Sequence, residues 1–128
     1  MEFNSSEMIK LKGETTVAWY QRTAPYRAEI HRAGVEALRL MVATGQGDCG
    51  GSDACRKIIL SLYNGAANPV GLTEFSRLDE RHYQAALAMM AKQRWAHHAE
   101  IHRWDESLRS VIVGWADEAY ERRQGRVE

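Results

Sequence analysis

The stretch LRSVIVGW, residues 108–115, carries the clearest helical pattern in the sequence. Leu108, Val111, Ile112 and Trp115 stand at positions i, i+3, i+4 and i+7, so on an α-helix their side chains share one face. An apolar stripe of this kind is typical of a helix that packs against a protein core. The stretch therefore predicts an amphipathic helix near the end of the chain.

Three more helices are predicted upstream of this stretch. The first is expected to begin at Thr23, because threonine is a good N-cap and Pro25 suits a first turn that needs no N–H donor. The second is expected to begin at Ser52 and the third at Asp79, since both side chains accept hydrogen bonds from a helix N-terminus. The expected fold is all-α, a compact bundle of about four helices.

Two parts of the chain are harder to interpret. Residues 1–22 are predicted to be a separate N-terminal segment, either a loosely ordered arm or a short strand pair, before a helical domain at 23–128. Residues 80–122 contain no proline, so one long helix and two shorter helices are both compatible with them. A bend is expected in the polar segment 97–104.

The apolar stripes also predict which side chains form the core. Four residues on the apolar stripes of the second, third and last predicted helices are expected to be buried: Leu62, Leu87, Ile112 and Trp115. Three apolar residues of the connection before the third helix are expected to join them: Leu72, Phe75 and Leu78.

Composition narrows the classes of function. The 128 residues include 17 Lys and Arg and 17 Asp and Glu, so the formal net charge is zero. Nucleic-acid binding normally requires an excess of basic residues, so it is less expected for this chain. A protein without net charge is less protected from self-association, so a homodimer is an open alternative. The sequence has no secretory signal and no apolar run of membrane-spanning length. A cytoplasmic location follows as the expectation, with Cys49 and Cys55 as reduced thiols.

No motif indicates catalysis, and no cofactor is expected. His98 and His102 have the i, i+4 spacing of a metal-binding pair, but Cys49 and Cys55 are too far apart in sequence for a standard zinc knuckle. The prediction is a protein that binds no metal. Ser52 lacks the sequence context of a serine nucleophile. The chain is therefore interpreted as a protein without enzymatic activity.

Tryptophan next to arginine is the most suggestive feature for binding. Arg94-Trp95 and Arg103-Trp104 both place residue types that are enriched in binding hot spots inside or beside the polar bend. The sequence predicts that these four residues bind a partner and that the ring of Trp95 or Trp104 is exposed. The alternative, burial of each ring in its own domain, is common for tryptophan.

Several short motifs between residues 34 and 120 are similar to those of a bacterial protein family. They are Gly47-Asp48-Cys49-Gly50-Gly51-Ser52, then Asn64, Leu72-Thr73-Glu74-Phe75 with Asp79, and Val111-Ile112-Val113-Gly114-Trp115. The chain resembles an uncharacterised family of small helical proteins encoded on plasmids, integrative elements and prophages. This resemblance implies a bacterial mobile genetic element as the setting and assigns no activity.

Together these features favour a binding protein whose partner is another protein. The leading hypothesis is an inhibitor of a host defence system, similar to an anti-CRISPR protein, and it rests on the setting and on the lack of catalytic motifs. One alternative is a small DNA-binding regulator that uses Arg122, Arg123 and Arg126. The other is a metal protein or an enzyme that uses the histidines.

Overall fold

A computed structural model describes residues 5–125 of the chain. Four α-helices dominate it: α1 (Thr16–Gly45), α2 (Gly50–Tyr63), α3 (Glu80–Trp95) and α4 (Arg109–Arg123). Four short 3-10 helices accompany them: Ser5–Met8, Leu72–Arg77, Ile101–Arg103 and Glu106–Leu108. This part of the chain contains no β-strand, and the predicted all-α bundle is confirmed.

The first helix begins earlier than the sequence predicted. It starts at Thr16, where the hydroxyl of Thr15 accepts a hydrogen bond from the Ala18 N–H, and Pro25 lies inside it. The prediction of a helix start at Thr23 is therefore wrong. The Thr23 hydroxyl instead donates to the carbonyl of Trp19 at 2.7 Å within the continuous helix. The domain boundary that the sequence suggested at residue 23 falls inside this helix.

Side chains of α1 hold the N-terminal segment in place. The Arg22 guanidinium forms an ion pair with Glu14 at 2.8 Å and donates to the carbonyl oxygens of Glu7 and Ile9. The indole N–H of Trp19 donates to the Met8 carbonyl at 2.8 Å. Residues 5–22 form a 3-10 turn and the start of α1, so the strand-pair alternative is wrong for them. Residues 1–4 lie outside the described part of the chain.

Helix caps account for the starts of α2 and α3. Cys49, rather than Ser52, is the N-cap of α2, and the Ser52 hydroxyl accepts from the Cys49 backbone N–H at 3.2 Å. The predicted cap at Ser52 is therefore displaced by three residues. Asp79 caps α3 as predicted, because its carboxylate accepts from the His82 N–H at 2.9 Å.

The region after Asp79 forms two helices. The third helix ends at Trp95, and α4 begins at Arg109. Two 3-10 turns connect them, and Asp105 accepts hydrogen bonds from the backbone N–H and hydroxyl of Ser107 at the second turn. The expected bend at 97–104 is confirmed, and the alternative of one continuous helix is excluded.

The core forms where α1 packs along α3 and α2. It is built from aliphatic and sulfur-containing side chains, among them Leu38, Met41, Val42, Cys55, Ile58, Ile59, Met89, Ile101 and Ile112. Ile112 is fully buried as predicted, whereas Leu62 and Trp115 are partly buried against the core. Leu87 is also only partly buried, because Ala85, Ala86 and Met89 occupy the buried face of α3.

The connection before α3 follows its prediction in part. Residues Leu72–Arg77 form the expected turn, and Phe75 and Leu78 pack against the core. Leu72 is 85% exposed, so its predicted burial is wrong. In residues 5–125 no helix is both long and apolar enough to cross a membrane.

Candidate binding cleft

A cleft of about 620 Å³ lies between α2 and α4, and Gly45 at the end of α1 also lines it. Its apolar lining comes from Leu60, Pro69, Val111, Trp115 and Ala119. Its charged lining comes from Asp53, Arg56, Lys57, Glu118, Arg122 and Arg123. A volume between about 300 and 1,000 Å³ is typical of ligand-binding clefts. This cleft is therefore large enough to hold a small group of side chains from a partner.

Trp115 joins the cleft to the protein core. Its ring packs under the end of α1, where a Cβ added at Gly45 would lie only 2.8 Å from the ring atom Cη2. Glycine at position 45 thus makes room for the tryptophan. The ring contacts the core cluster and also lines the cleft. The prediction that Trp115 is a core residue is right for the side of the ring that packs on the core. The sequence did not predict that the other side lines the cleft.

The α2 side of the cleft is a network of ion pairs. Asp53 lies 3.0 Å from the Lys57 ammonium and 3.2 Å from the Arg77 guanidinium, and Lys57 also reaches Glu74 at 3.4 Å. The hydrogen bond from Lys57 holds the pKa of the Asp53 carboxyl below its usual range, and the same bond raises the pKa of Lys57. Asp53 is therefore largely neutralised by its own neighbours.

Arginines extend the positive charge across the cleft. Arg56 of α2 donates to the carbonyl oxygens of Gly45 and Gly47, which satisfies acceptors at the end of α1. On α4, Arg123 donates to the side-chain carbonyl of Asn68 at 2.9 Å, and Arg122 is exposed. With Lys57, four basic side chains line the cleft against two carboxylates. A chain without net charge thus carries a local basic surface around Trp115.

The first of the two predicted binding pairs remains together at the surface. The Arg94 guanidinium lies over the Trp95 ring, 4.6 Å from its centroid, and Arg94 is exposed. Trp95 is partly buried against the small apolar cluster of Met8, Ile30 and Ala91. This pair can contact a partner through the guanidinium and the uncovered part of the ring, and its binding role remains a prediction.

The second predicted pair is split between surface and core. Trp104 is only 7% exposed and belongs to the core cluster, so the expectation of an exposed ring is wrong for this residue. Its indole N–H donates to the Ala99 carbonyl at 2.9 Å, which satisfies the ring inside the protein. Arg103 is exposed beside it. The backbone at the 3-10 helix Ile101–Arg103 thus places the Arg103 side chain in solvent and the Trp104 side chain in the core.

The histidine pair considered for metal binding is not assembled. His98 and His102 lie in the connection between α3 and α4, so they do not share the face of an α-helix. His98 hydrogen-bonds to Lys92, while His102 packs edge-on against Tyr63 with ring centroids 5.1 Å apart. Across residues 5–125, His, Cys, Asp and Glu side chains form no group of three or more that could hold a metal ion.

The two cysteines are free thiols in different surroundings. Cys49 is exposed at the start of α2, and its sulfur lies 3.2 Å from the Ser52 hydroxyl, which lowers the pKa of the thiol. Cys55 is fully buried, and burial raises its pKa to about 11. Only Cys49 is positioned to react with solutes.

The architecture defines a small helical-bundle protein with a basic, tryptophan-lined cleft between its second and fourth helices. Residues 35–116, more than half of the chain, match a family described as "Family of unknown function (DUF7673)", and the chain belongs to this family. The matched region contains most of the cleft but ends before Arg122 and Arg123. No curated protein and no solved structure shows significant similarity to the chain.

Proposed function

We propose that this protein is a non-enzymatic binding protein that recognises another protein through the cleft between α2 and α4. The observation that carries the proposal is the partly buried Trp115 ring with Arg56, Arg122 and Arg123 around it. Tryptophan and arginine are among the residue types enriched in binding hot spots. A ring that is already held by the core loses little conformational freedom when a partner covers it, which favours tight contact.

The charge around the cleft favours an acidic partner. Lys57 and Arg77 balance the charges of Asp53 and Glu74, so the positive charge of the cleft comes from its three arginines, which stand against one carboxylate, Glu118. A partner segment with an apolar side chain flanked by carboxylates would place the apolar group on Trp115 and the carboxylates near the arginines. Such complementarity speeds association and suppresses the wrong partners.

The biological setting that we propose is inhibition of a bacterial host defence system by a protein from a mobile genetic element. The resemblance to an uncharacterised family encoded on plasmids, integrative elements and prophages supports this setting. An inhibitor that acts by covering a surface of a larger complex needs a binding surface and no catalytic group. The cytoplasm, where such complexes work, is the compartment that fits this role.

DNA binding is the second candidate, because the same basic side chains could contact phosphates. Arg122 and Arg123 stand near the end of α4, opposite Arg56 and Lys57. Binding to phosphates would weaken steeply with added salt. A gel-shift assay with random-sequence DNA at low salt separates the two candidates: a shift abolished by moderate salt and by Arg122→Glu/Arg123→Glu would favour DNA.

The direct test compares charge reversals at three surfaces. The tagged wild-type protein is used to capture partners from a bacterial lysate, and the partner's dissociation constant is then measured for each variant. Arg122→Glu/Arg123→Glu is expected to weaken binding about tenfold or more, which is the size of a strong electrostatic contact at an interface. Arg109→Glu, on α4 but outside the cleft, is the matched control and should bind as the wild type does.

The third variant tests the site predicted from sequence. If Arg94→Glu weakens binding and Arg122→Glu/Arg123→Glu does not, the partner sits on the Arg94–Trp95 surface and the cleft proposal is wrong. If all three variants bind equally well, neither surface is the interface. Far-UV circular dichroism of each variant should match that of the wild type, because all four arginines are exposed.

A further inference from the structure

Lys92 of α3 is fully buried, which is rare for lysine unless a carboxylate pairs with it. Within residues 5–125, Lys92 forms no ion pair with Asp or Glu. A buried charge without a counter-ion needs other groups to replace its water shell. The groups around the Lys92 ammonium must therefore supply the hydrogen bonds that water would otherwise make.

Three acceptors surround the Lys92 ammonium, and together with the ring of Trp104 they form what we call the lysine cage. The ammonium nitrogen lies 2.9 Å from Nδ1 of His31, 2.9 Å from Nδ1 of His98 and 3.0 Å from the carbonyl oxygen of Ala96. The Trp104 ring centroid is 4.7 Å away, within the range of a cation–π contact. The three N–H donors of the ammonium thus each have one acceptor.

The lysine cage requires both imidazole rings to be neutral. A ring nitrogen can accept a hydrogen bond only when it carries no proton, so each Nδ1 must be bare and each proton must sit on Nε2. A proton on either Nδ1 would turn that acceptor into a donor facing the ammonium, and it would add a second positive charge beside the first. The two rings also contact each other edge to face, with centroids 4.9 Å apart.

The lysine cage links three parts of the fold. His31 belongs to α1, Lys92 belongs to α3, and Ala96, His98 and Trp104 belong to the connection that follows α3. None of the described Asp or Glu side chains forms an ion pair with His31, Lys92 or His98, so no carboxylate compensates a proton added to the lysine cage. Histidine is the side chain whose ordinary titration falls in the mildly acidic range.

We propose that the lysine cage is a proton-operated latch that holds residues 96–104 against α1 at neutral pH and releases them in mild acid. Protonation of His31 opens the cage, and opening uncovers the ring of Trp104, which is 7% exposed when the latch is closed. Burial, and then the nearby Lys92 charge, lowers the pKa of His31 below its usual value. The closed state therefore binds the proton less tightly than the open state does, and acid favours opening.

The experiment follows Trp104 directly by ¹⁹F NMR. The full chain is labelled with 5-fluorotryptophan, and the Trp104 resonance is assigned by its loss in Trp104→Phe. Between about pH 7.5 and 5 we expect this resonance to move to the shift of an exposed indole, with a midpoint at or below roughly pH 6.5, the ordinary value for histidine. A wild-type resonance that does not move down to pH 5 overturns the proposal.

Two variants test the assigned groups. In His31→Asn/His98→Asn, each amide oxygen takes the place of Nδ1, so the cage keeps its acceptors but cannot be protonated, and the Trp104 resonance should stay in its closed position at pH 5. In Lys92→Met, a protonated histidine no longer faces an ammonium, so the transition should be lost. Either variant showing the wild-type transition with an unchanged midpoint overturns the proposal.

The matched control is His97→Asn. His97 is exposed and takes no part in the lysine cage, although it stands next to His98 in the same connection. Its replacement should leave the transition of Trp104 as it is in the wild type. If His97→Asn abolishes the transition, the titrating group has been assigned to the wrong histidine and the latch is wrong.

Discussion

Gly34 of α1 lies directly against Lys92 of α3, so closely that a methyl group added at Gly34 would stand 2.5 Å from the Cβ of Lys92 and 2.7 Å from its Cδ. Real Cβ atoms do not approach other carbons this closely. Because Gly34 has no side chain, α1 and α3 can approach each other closely at this contact. The same close approach lets His31, one turn earlier in α1, reach the Lys92 ammonium.

The first prediction concerns this contact. Gly34→Ala should destabilise the protein by up to about 2 kcal/mol, because overpacking of a core contact costs about 1–3 kcal/mol and alanine gains only roughly 1 kcal/mol over glycine in a helix. Gly114→Ala in α4 is the matched control, since no atom lies within 4 Å of the added methyl group. It should stabilise the protein by about 0.5–1 kcal/mol. Urea denaturation measures both, and equal effects of the same sign would refute the tight contact.

The second prediction concerns the centre of the bundle. Ile112 is fully buried in the main core cluster, so Ile112→Ala should lower the free energy of unfolding by about 2–5 kcal/mol. Leu72→Ala provides the comparison, because Leu72 is 85% exposed and its truncation should change stability by less than about 0.5 kcal/mol. A small loss at Ile112 would mean that α4 does not pack as described.

The third prediction separates the two tryptophans that the sequence treated alike. Trp104→Ala should cost about 3–5 kcal/mol, because it empties a core position and leaves the Ala99 carbonyl without its donor. Trp95→Ala should cost clearly less, since Trp95 packs at the edge of a smaller cluster. Thermal unfolding of both variants measures the difference. An equal cost would show that both rings are core and would remove Trp95 as a candidate for binding.

Local chemistry explains why some elements were predictable from sequence. Asp79 caps α3 through a hydrogen bond within its own first turn, and Ile112 follows from an apolar spacing within one helix. The start of α1 was predicted wrongly for a related reason. Thr23 and Pro25 form a good start signal, but Thr15 supplies a competing cap, and contacts of Arg22 and Trp19 with the N-terminal segment favour the longer helix.

The candidate sites depend on residues far apart in the sequence, which is why spacing did not reveal them. His31 and Lys92 are 61 positions apart, and they meet only because α1 crosses α3 at a glycine. The cleft likewise needs α2 and α4 side by side, so that Arg56 and Arg123 line the same space as Trp115. The sequence pointed to Arg123 only as part of a DNA-binding alternative, and no pattern connected it to Arg56 or Trp115.

The fourth prediction concerns the two thiols. Cys49 is exposed, and the hydrogen bond with Ser52 lowers its pKa, whereas Cys55 is buried with a pKa raised to about 11. Ellman's reagent at neutral pH should therefore modify one thiol quickly in the folded protein and the second only after unfolding. Ser52→Ala should slow the fast reaction, because the thiolate loses its hydrogen bond. Rapid modification of two thiols in the folded protein would contradict the burial of Cys55.

The last prediction is a pH dependence of stability that Lys92 causes. Burial lowers the pKa of Lys92 from 10.5 to about 8, so the folded protein binds fewer protons than the unfolded chain between these two values. The free energy of unfolding contributed by this group must then rise as the pH rises from about 8 to 10.5. One pKa unit corresponds to about 1.4 kcal/mol, so a shift from 10.5 to about 8 gives a total rise of at most roughly 3.5 kcal/mol.

Lys92→Met isolates this contribution, because the variant keeps a long side chain and removes the titrating amine. Urea denaturation of both proteins at several pH values between 7 and 10.5 gives the difference in their stabilities. We expect the wild type to gain stability relative to Lys92→Met as the pH rises through this window. Other titrating groups, such as the Cys55 thiol, contribute equally to the stability of both proteins, so their contributions cancel in the difference. A difference that stays constant from pH 7 to 10.5 would mean that the Lys92 amine has the same proton affinity in the folded and unfolded chains, which contradicts its burial without a carboxylate.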